Sequence, residues 1–255
     1  MLRKAGVDVA KVVGVGVAVP DDLGRVELPG RPADYAAWDA TNMVDMFREP
    51  LNLPVFVEND AAAAAMGEMQ LGLGHTNNSF FYILISSGLG GGLVVDGSYL
   101  RGADGRSGEL GFMRAAGGEE VQRMVSLSGL ARHLERNGCK LAEVMHGADP
   151  SAATAACVDA WVEDAARLLT VPLDAINCLI NPAAVLVGGR LPTAILERLA
   201  ERANELMKER EGLLPTVAPV IRAALSEDAP AVGAAILPFS HFLLPKQAAL
   251  WKASA

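Results

Sequence analysis

An α/β fold in two unequal parts is the fold class this sequence predicts, and three observations carry it. Runs of β-branched residues alternate with helical patterns along all 255 residues. A strand, a helix and a second strand follow one another near the N-terminus, the order of a parallel unit. A glycine-rich hairpin then opens a more strand-rich region from about residue 76. The chain therefore divides into an α/β lobe over 1–75, a larger α/β lobe over 76–235, and a C-terminal helix and tail over 236–255, with a ligand cleft expected between the lobes.

The elements follow in order. Residues 12–19, Val-Val-Gly-Val-Gly-Val-Ala-Val, predict a strand buried on both faces and ended by Pro20. Residues 38–51 are an amphipathic helix, and 54–57 a second strand. Asp60 stands at the carboxyl end of that strand, where ligands of parallel units collect. Residues 61–71 are strong helix formers closed by Gly72 and Gly74. Residues 80–85 and 93–95 are strands flanking the glycines, and Asp96-Gly97 is a hairpin turn. Helices are expected over 121–137, 158–180 and 192–211, the second kinked or divided at Pro172. Residues 184–187 are a strand delivering Gly188-Gly189, and 229–242 a final apolar helix able to pack back toward the first lobe.

Composition narrows the partners. A net charge of −8 and a pI near 5.1, with Lys and Arg scattered, provide no basic face for a phosphate backbone, so nucleic acid is not expected to bind through this chain. No stretch reaches the about 18 uninterrupted apolar residues of a membrane helix; residues 80–95 are broken by two serines and four glycines. The start, Met1-Leu2-Arg3-Lys4, imitates a secretory signal, but Asp8 and Lys11 interrupt its apolar run and Pro20-Asp21-Asp22 replaces a small-residue cleavage site. Cys139, Cys157 and Cys178 have no metal-ligand spacing in sequence and fit reduced thiols in a cytoplasmic protein.

Four groups of residues carry candidate chemistry. Asp60 has two compatible roles, cap of the alanine-rich helix and general base. Ser87, Gly88, Gly90, Gly91 and Gly92 hold more glycines than a turn needs, which points to close approach by a ligand and to inward amides that bind an anion. The run is neither a Walker A loop nor a dinucleotide fingerprint, since no Gly-Lys-Ser/Thr occurs and a strand follows it. Gly188-Gly189 either lets a flat ring lie against backbone or opens a helix. Glu109 sits in a polar, glycine-rich loop and either binds sugar hydroxyls or is simply solvated.

In order and spacing, these segments resemble the ROK family of bacterial sugar kinases and sugar-responsive repressors. The segments are Val13 to Pro20, Pro54 to Ala61, Ser87 to Gly92, Arg101 to Gly111, Asn181-Pro182 through Gly188-Gly189, and Asp228 to Ala235. The resemblance implies an actin/hexokinase-like (ribonuclease H-like) ATPase fold. It also implies that Asp60 is the base activating a sugar hydroxyl, Asn59 and Glu109 are sugar contacts, and Ser87, Gly88 and Gly90 to Gly92 belong to the phosphate site. Gly188 and Gly189 would face the nucleotide, with ATP and Mg²⁺ required if the enzyme is active.

Departures from the family pattern are equally specific. No Asp-x-Gly-Gly-Thr phosphate hairpin occurs in these residues, so the first lobe is expected to be incomplete. The family's Glu-x-Gly-His reads Glu109-Leu110-Gly111-Phe112, and a phenyl ring cannot ligate a metal. The cysteine cluster is absent, and Met124 aligns with a sugar-binding Glu. The expectation is therefore a sugar-binding homologue without zinc, with impaired phosphorylation of a hexose or amino sugar. The alternative is the effector-binding part of a sugar-responsive regulator. An unpaired apolar edge at residues 12–19 would favour homo-oligomers.

Overall fold

The computed structural model describes residues 6–20, 38, 41–103, 105, 107–115, 117–145 and 150–243. The expectations for Met1 to Lys4, for Asp21-Asp22 and for the tail beyond residue 243 lie outside the described residues.

Two sheets organise the fold. The first pairs β1 (Val15–Val19) with β2 (Val55–Asn59) in parallel, Val15 opposite Val55 and Val19 opposite Asn59. β1 starts three residues later than its apolar run, because residues 12–14 have no ladder partner among the described residues. β2 runs two residues further than expected and carries Glu58 and Asn59 into the sheet. The preceding helix, α1 (Met43–Leu51), begins later than residue 38; the Asn42 side chain caps it by accepting from the amides of Val44 and Asp45.

The second sheet has five strands in the order β5 (Ser98–Tyr99), β4 (Leu89–Val95), β3 (Phe80–Ile85), β6 (Ala184–Gly189), β7 (Val220–Arg222). β3, β6 and β7 are parallel, while β4 and β5 are antiparallel additions. Gly90, Gly91 and Gly92 were expected in a turn between strands, but they lie within β4, opposite Leu84, Ile83 and Tyr82. Asp96 and Gly97 both have positive φ, 49° and 69°, and make the two-residue β4–β5 turn as expected. The short edge strand β7 carried no alternation long enough to be foreseen. Asn204 secures it, accepting from the Val220 amide at 2.8 Å and donating to its carbonyl at 2.7 Å.

Helices cover both faces of this sheet. On one face α2 (Asp60–Leu71) packs its alanines against Phe80, Tyr82, Leu84 and Leu186. The other face carries α3 (Leu127–Arg136), α5 (Ala152–Leu179) and α6 (Thr193–Met207), whose Leu130, Trp161, Leu169 and Leu196 meet Ile83, Ile85 and Val187. The helix expected over 121–137 is two pieces. A 3-10 turn, Val121–Arg123, precedes α3, because the Ser126 hydroxyl caps the new helix at the Gly129 amide, 3.0 Å away. The short α4 (Leu141–Met145) was not foreseen. Pro172 neither ends nor divides α5, which runs 28 residues from its Ser151 cap.

The last helix, α7 (Ala229–Phe242), is continuous, so a boundary at 235/236 falls inside it rather than ahead of it. It packs against α2, β1 and β2 as expected. Contact is backbone to backbone: a Cβ at Gly16 would fall 1.7 Å from the Ala234 carbonyl oxygen, and one at Gly233 1.6 Å from that of Ala63. No described helix is long and apolar enough to cross a membrane.

Candidate active site

β3 and β6 end side by side, Ile85 opposite Gly189, and the Ser86-Ser87-Gly88 hairpin tip leads out of the end of β3. Parallel strands leave a crevice there, lined by the loops that follow them. Asp60 is the first residue of α2, half-buried, and Ala61 behind it meets the sheet at Gly90, where a Cβ would lie 2.8 Å from the alanine methyl. The capping role falls to Asn59. Its Oδ1 accepts from the amides of Ala61 and Ala62 at 2.9 and 3.0 Å, which leaves its Nδ2 amide as donor. Asp60 Oδ1 also accepts from Ala61, 2.8 Å away, and the positive end of the helix favours a negative charge at this point.

The hairpin tip is Ser86-Ser87-Gly88, closed by the Ser86 amide to the Gly88 carbonyl at 3.0 Å, with Ser87 exposed. None of Gly88, Gly90, Gly91 and Gly92 has a positive φ. Close approach does explain the three strand glycines, but the approaching groups are protein. Gly92 meets Ala65 and Gly91 meets the Gly108 carbonyl, 2.6 and 2.3 Å from the positions a Cβ would take. Gly188 similarly makes room for the Tyr82 hydroxyl and Gly189, at φ 124°, for the Ile85 carbonyl. Gly189 ends a strand; α6 starts only at Thr193, behind Pro192, with no side-chain cap.

Glu109 arrives around the open edge of β4. Gly108 abuts Gly91, and Glu109 is half-buried near the Tyr99 phenol, whose pKa is raised by burial first and by the Glu109 carboxylate as a smaller contribution. Phe112 closes the following 3-10 turn, Leu110–Phe112. The Met124 side chain packs half-buried against the core, and its carbonyl accepts from the Trp161 indole at 3.1 Å.

Three participants were missed by sequence reasoning. Glu58, only 7% exposed, accepts from the Asn59 amide at 3.1 Å and pairs with the Arg101 guanidinium, tying the end of β2 to the loop that carries Glu109. Its position between two recognised site residues was the available signal. Buried Gln122 lies under Gly88 and Gly111 and donates to Glu120 at 3.0 Å. The Leu127 amide at the start of α3 donates to the Ser86 carbonyl at 2.8 Å, fixing the hairpin to that helix.

Among the described residues no three His, Cys, Asp or Glu side chains come together as a metal site. At the strand ends lie the Ser87-Gly88 tip and the first turn of α6, which has no side-chain cap and carries backbone amides of the kind that favour an anion.

A mixed sheet of this order, with a helix-borne carboxylate beside a strand-end hairpin, is the actin/hexokinase-like ATPase fold. A ROK family glucokinase from Streptomyces griseus, solved with glucose and AMPPNP, superposes with a TM-score of 0.70 at 25% identity, covering 92% of this chain and 83% of that one. The chain belongs to the ROK family, whose profile matches residues 3–240. It is 32% identical over 244 residues to the uncharacterized protein y4fQ of Sinorhizobium fredii, covering 94% of this chain and 60% of that protein. A xylose repressor of Bacillus spizizenii is 33% identical over 106 residues, 40% of this chain and 26% of the repressor. The chain thus spans less than two thirds of y4fQ and of the repressor, and both kinases and repressors are among its homologues.

Proposed function

We propose that this chain is a sugar-binding ROK homologue, with a hexose or amino sugar as ligand and impaired ATP-dependent phosphorylation. The observation that carries this reading is the placement of Asp60 at the first turn of α2, beside the β3–β4 hairpin. There its carboxylate would take the proton of a sugar hydroxyl as that oxygen attacks the terminal phosphorus. Asn59 Nδ2 and Glu109 would hold neighbouring hydroxyls, and the Gly88 turn and the amides at the start of α6 would face phosphate oxygens of ATP, with Mg²⁺ entering on the nucleotide. Phosphoryl transfer depends chiefly on positioning and charge stabilisation, and a general base supplies typically 10²- to 10⁴-fold. Retaining Asp60 therefore does not by itself sustain turnover. Phe112 and Met124 offer no polar partner where the family has His and Glu, which supports weak sugar binding.

A second reading, the effector-binding part of a sugar-responsive regulator, is favoured by the xylose repressor likeness together with those two apolar replacements. Either role fits a cytoplasmic protein without zinc. Self-association through the open side of β1, which pairs only with β2 among the described residues, fits both as well.

A coupled ATP-consumption assay over glucose, N-acetylglucosamine, N-acetylmannosamine and fructose tests the proposal. Trace turnover lost in Asp60→Asn, with weak sugar-dependent thermal stabilisation, is the expected result. Robust turnover abolished by Asp60→Asn would overturn the impairment. No turnover with strong, sugar-specific stabilisation unaffected by Asp60→Asn would favour the regulator.

A further inference from the structure

Cys139 and Cys157 are 18 positions apart in sequence, but the fold brings their sulfurs to 3.5 Å. Cys139 follows the end of α3, in a turn where Gly138 has φ 72° and the Cys139 amide donates to the Leu134 carbonyl at 2.8 Å. Cys157 lies in the second turn of α5, whose start is fixed by the Ser151 cap and by Thr154 donating to Glu143 at 2.8 Å. Both thiols are half-buried, within reach of small solutes, whereas Cys178 is exposed on the same helix farther along.

We propose that Cys139 and Cys157 form a reversible intramolecular disulfide, a redox-modification site joining the end of α3 to α5. The oxidant is a hydroperoxide. In the first step the Cys139 sulfur attacks one peroxide oxygen; an S–O bond forms, the O–O bond breaks, and water leaves from hydrogen peroxide, giving a sulfenic acid. In the second step the Cys157 sulfur attacks Cys139; the S–S bond forms, the S–O bond breaks, and the hydroxyl leaves as a second water with the Cys157 proton. Two thiols and one peroxide thus become one disulfide and two waters, and a dithiol reductant restores both thiols.

The order of attack follows from the environment. The contact with Cys139, and burial after it, raise the Cys157 pKa, which disfavours Cys157 as the first nucleophile. The sulfurs need to close from 3.5 Å to a bond of about 2.0 Å. That movement is available to Cys139, in a turn beyond the helix end, more than to Cys157 within α5.

Treatment of the reduced full chain with stoichiometric hydrogen peroxide, followed by thiol counting and non-reducing peptide mapping, tests this inference. Free thiols should fall from three to one, with a peptide pair linked through Cys139 and Cys157 that dithiothreitol separates. Cys178→Ser should retain the link, and Cys139→Ser and Cys157→Ser should each lose it. Over-oxidised Cys139 without a cross-link, or chains joined only through Cys178, would overturn it. The peptide map of the unmutated chain decides the outcome even where a variant folds poorly, and it is independent of any kinase activity.

Discussion

The two sheets of this protein are stabilised by different means. In the five-stranded sheet every residue of β3 and β6 is buried, and large side chains such as Phe80, Ile83 and Leu186 fill both faces. In the two-stranded sheet only Glu58 is buried, and Val57 is 36% exposed. That sheet is held against α7 by close backbone contact at Gly16 and by Phe56 packing on His241 and Phe242, and by one carboxylate paired to a loop. The large sheet therefore relies on apolar volume, which tolerates conservative change, whereas the small one relies more on a position that admits no side chain, which does not. Asp60 lies where the two meet, so its placement depends on the less tolerant region.

Gly233→Val is the most severe way to break this contrast, because its branched side chain must occupy the space of the Ala63 carbonyl. We expect a loss of about 3 kcal/mol or more, measured by urea unfolding, and hydrogen exchange showing β1 amides deprotected before β3 amides. Equal deprotection of both sheets would mean that they open as one unit.

Leu186→Ala, in the centre of the large sheet, should cost about 2–5 kcal/mol, while Val57→Ala on the small sheet should cost well under about 1 kcal/mol. Comparable values in the same unfolding measurement would erase the distinction.

Arg101→Ala sharpens it by leaving the Glu58 carboxylate buried without its cation. Because the arginine side chain is 59% exposed and solvent screens the pair, a loss of about 1–2 kcal/mol is expected rather than the larger cost of a fully buried pair. Arg101→Ala paired with Glu58→Gln should recover part of it, which a double-mutant cycle measures.

The smallest effect at neutral pH belongs to Tyr82. Burial raises its phenol pKa far above the ordinary 10.0, and the Glu68 carboxylate adds to the shift. The unfolded chain loses this proton near pH 10 while the folded chain keeps it, so its contribution is full below pH 10 and declines as the pH rises further. Tyr82→Phe should flatten the loss of stability above pH 10 and change little at pH 7, since the hydroxyl's bond to the Ser226 carbonyl is long, at 3.5 Å.

Periodicity and punctuation made most elements legible. The apolar run of β3 matches its strand end for end, Asp96-Gly97 is the turn its residue types demand, and α7 spans the residues that its apolar run marks. Sequence and structure part where a local signal has two physical sources. The glycines of β4 read as space for a ligand because a missing side chain always reads as space, whereas packing shows Ala61, Ala65 and Gly108 at the positions their Cβ atoms would take. Ser126 looked like part of a longer helix because its capping bond needs the Gly129 amide in place.

Residue order alone determined the succession of strands and helices and the position of Asp60 at a strand end, since both follow from local hydrophobic period and chain breaks. The family likeness, too, was carried by motifs that are each a short run of neighbouring residues, recognised by their order along the chain. The union of Glu58 with Arg101, the anchoring of Ser86 by Leu127, and the meeting of Cys139 with Cys157 were decided only by tertiary structure. Each joins residues 18 to 43 positions apart, and such pairings depend on how whole helices and sheets pack, which no local pattern encodes.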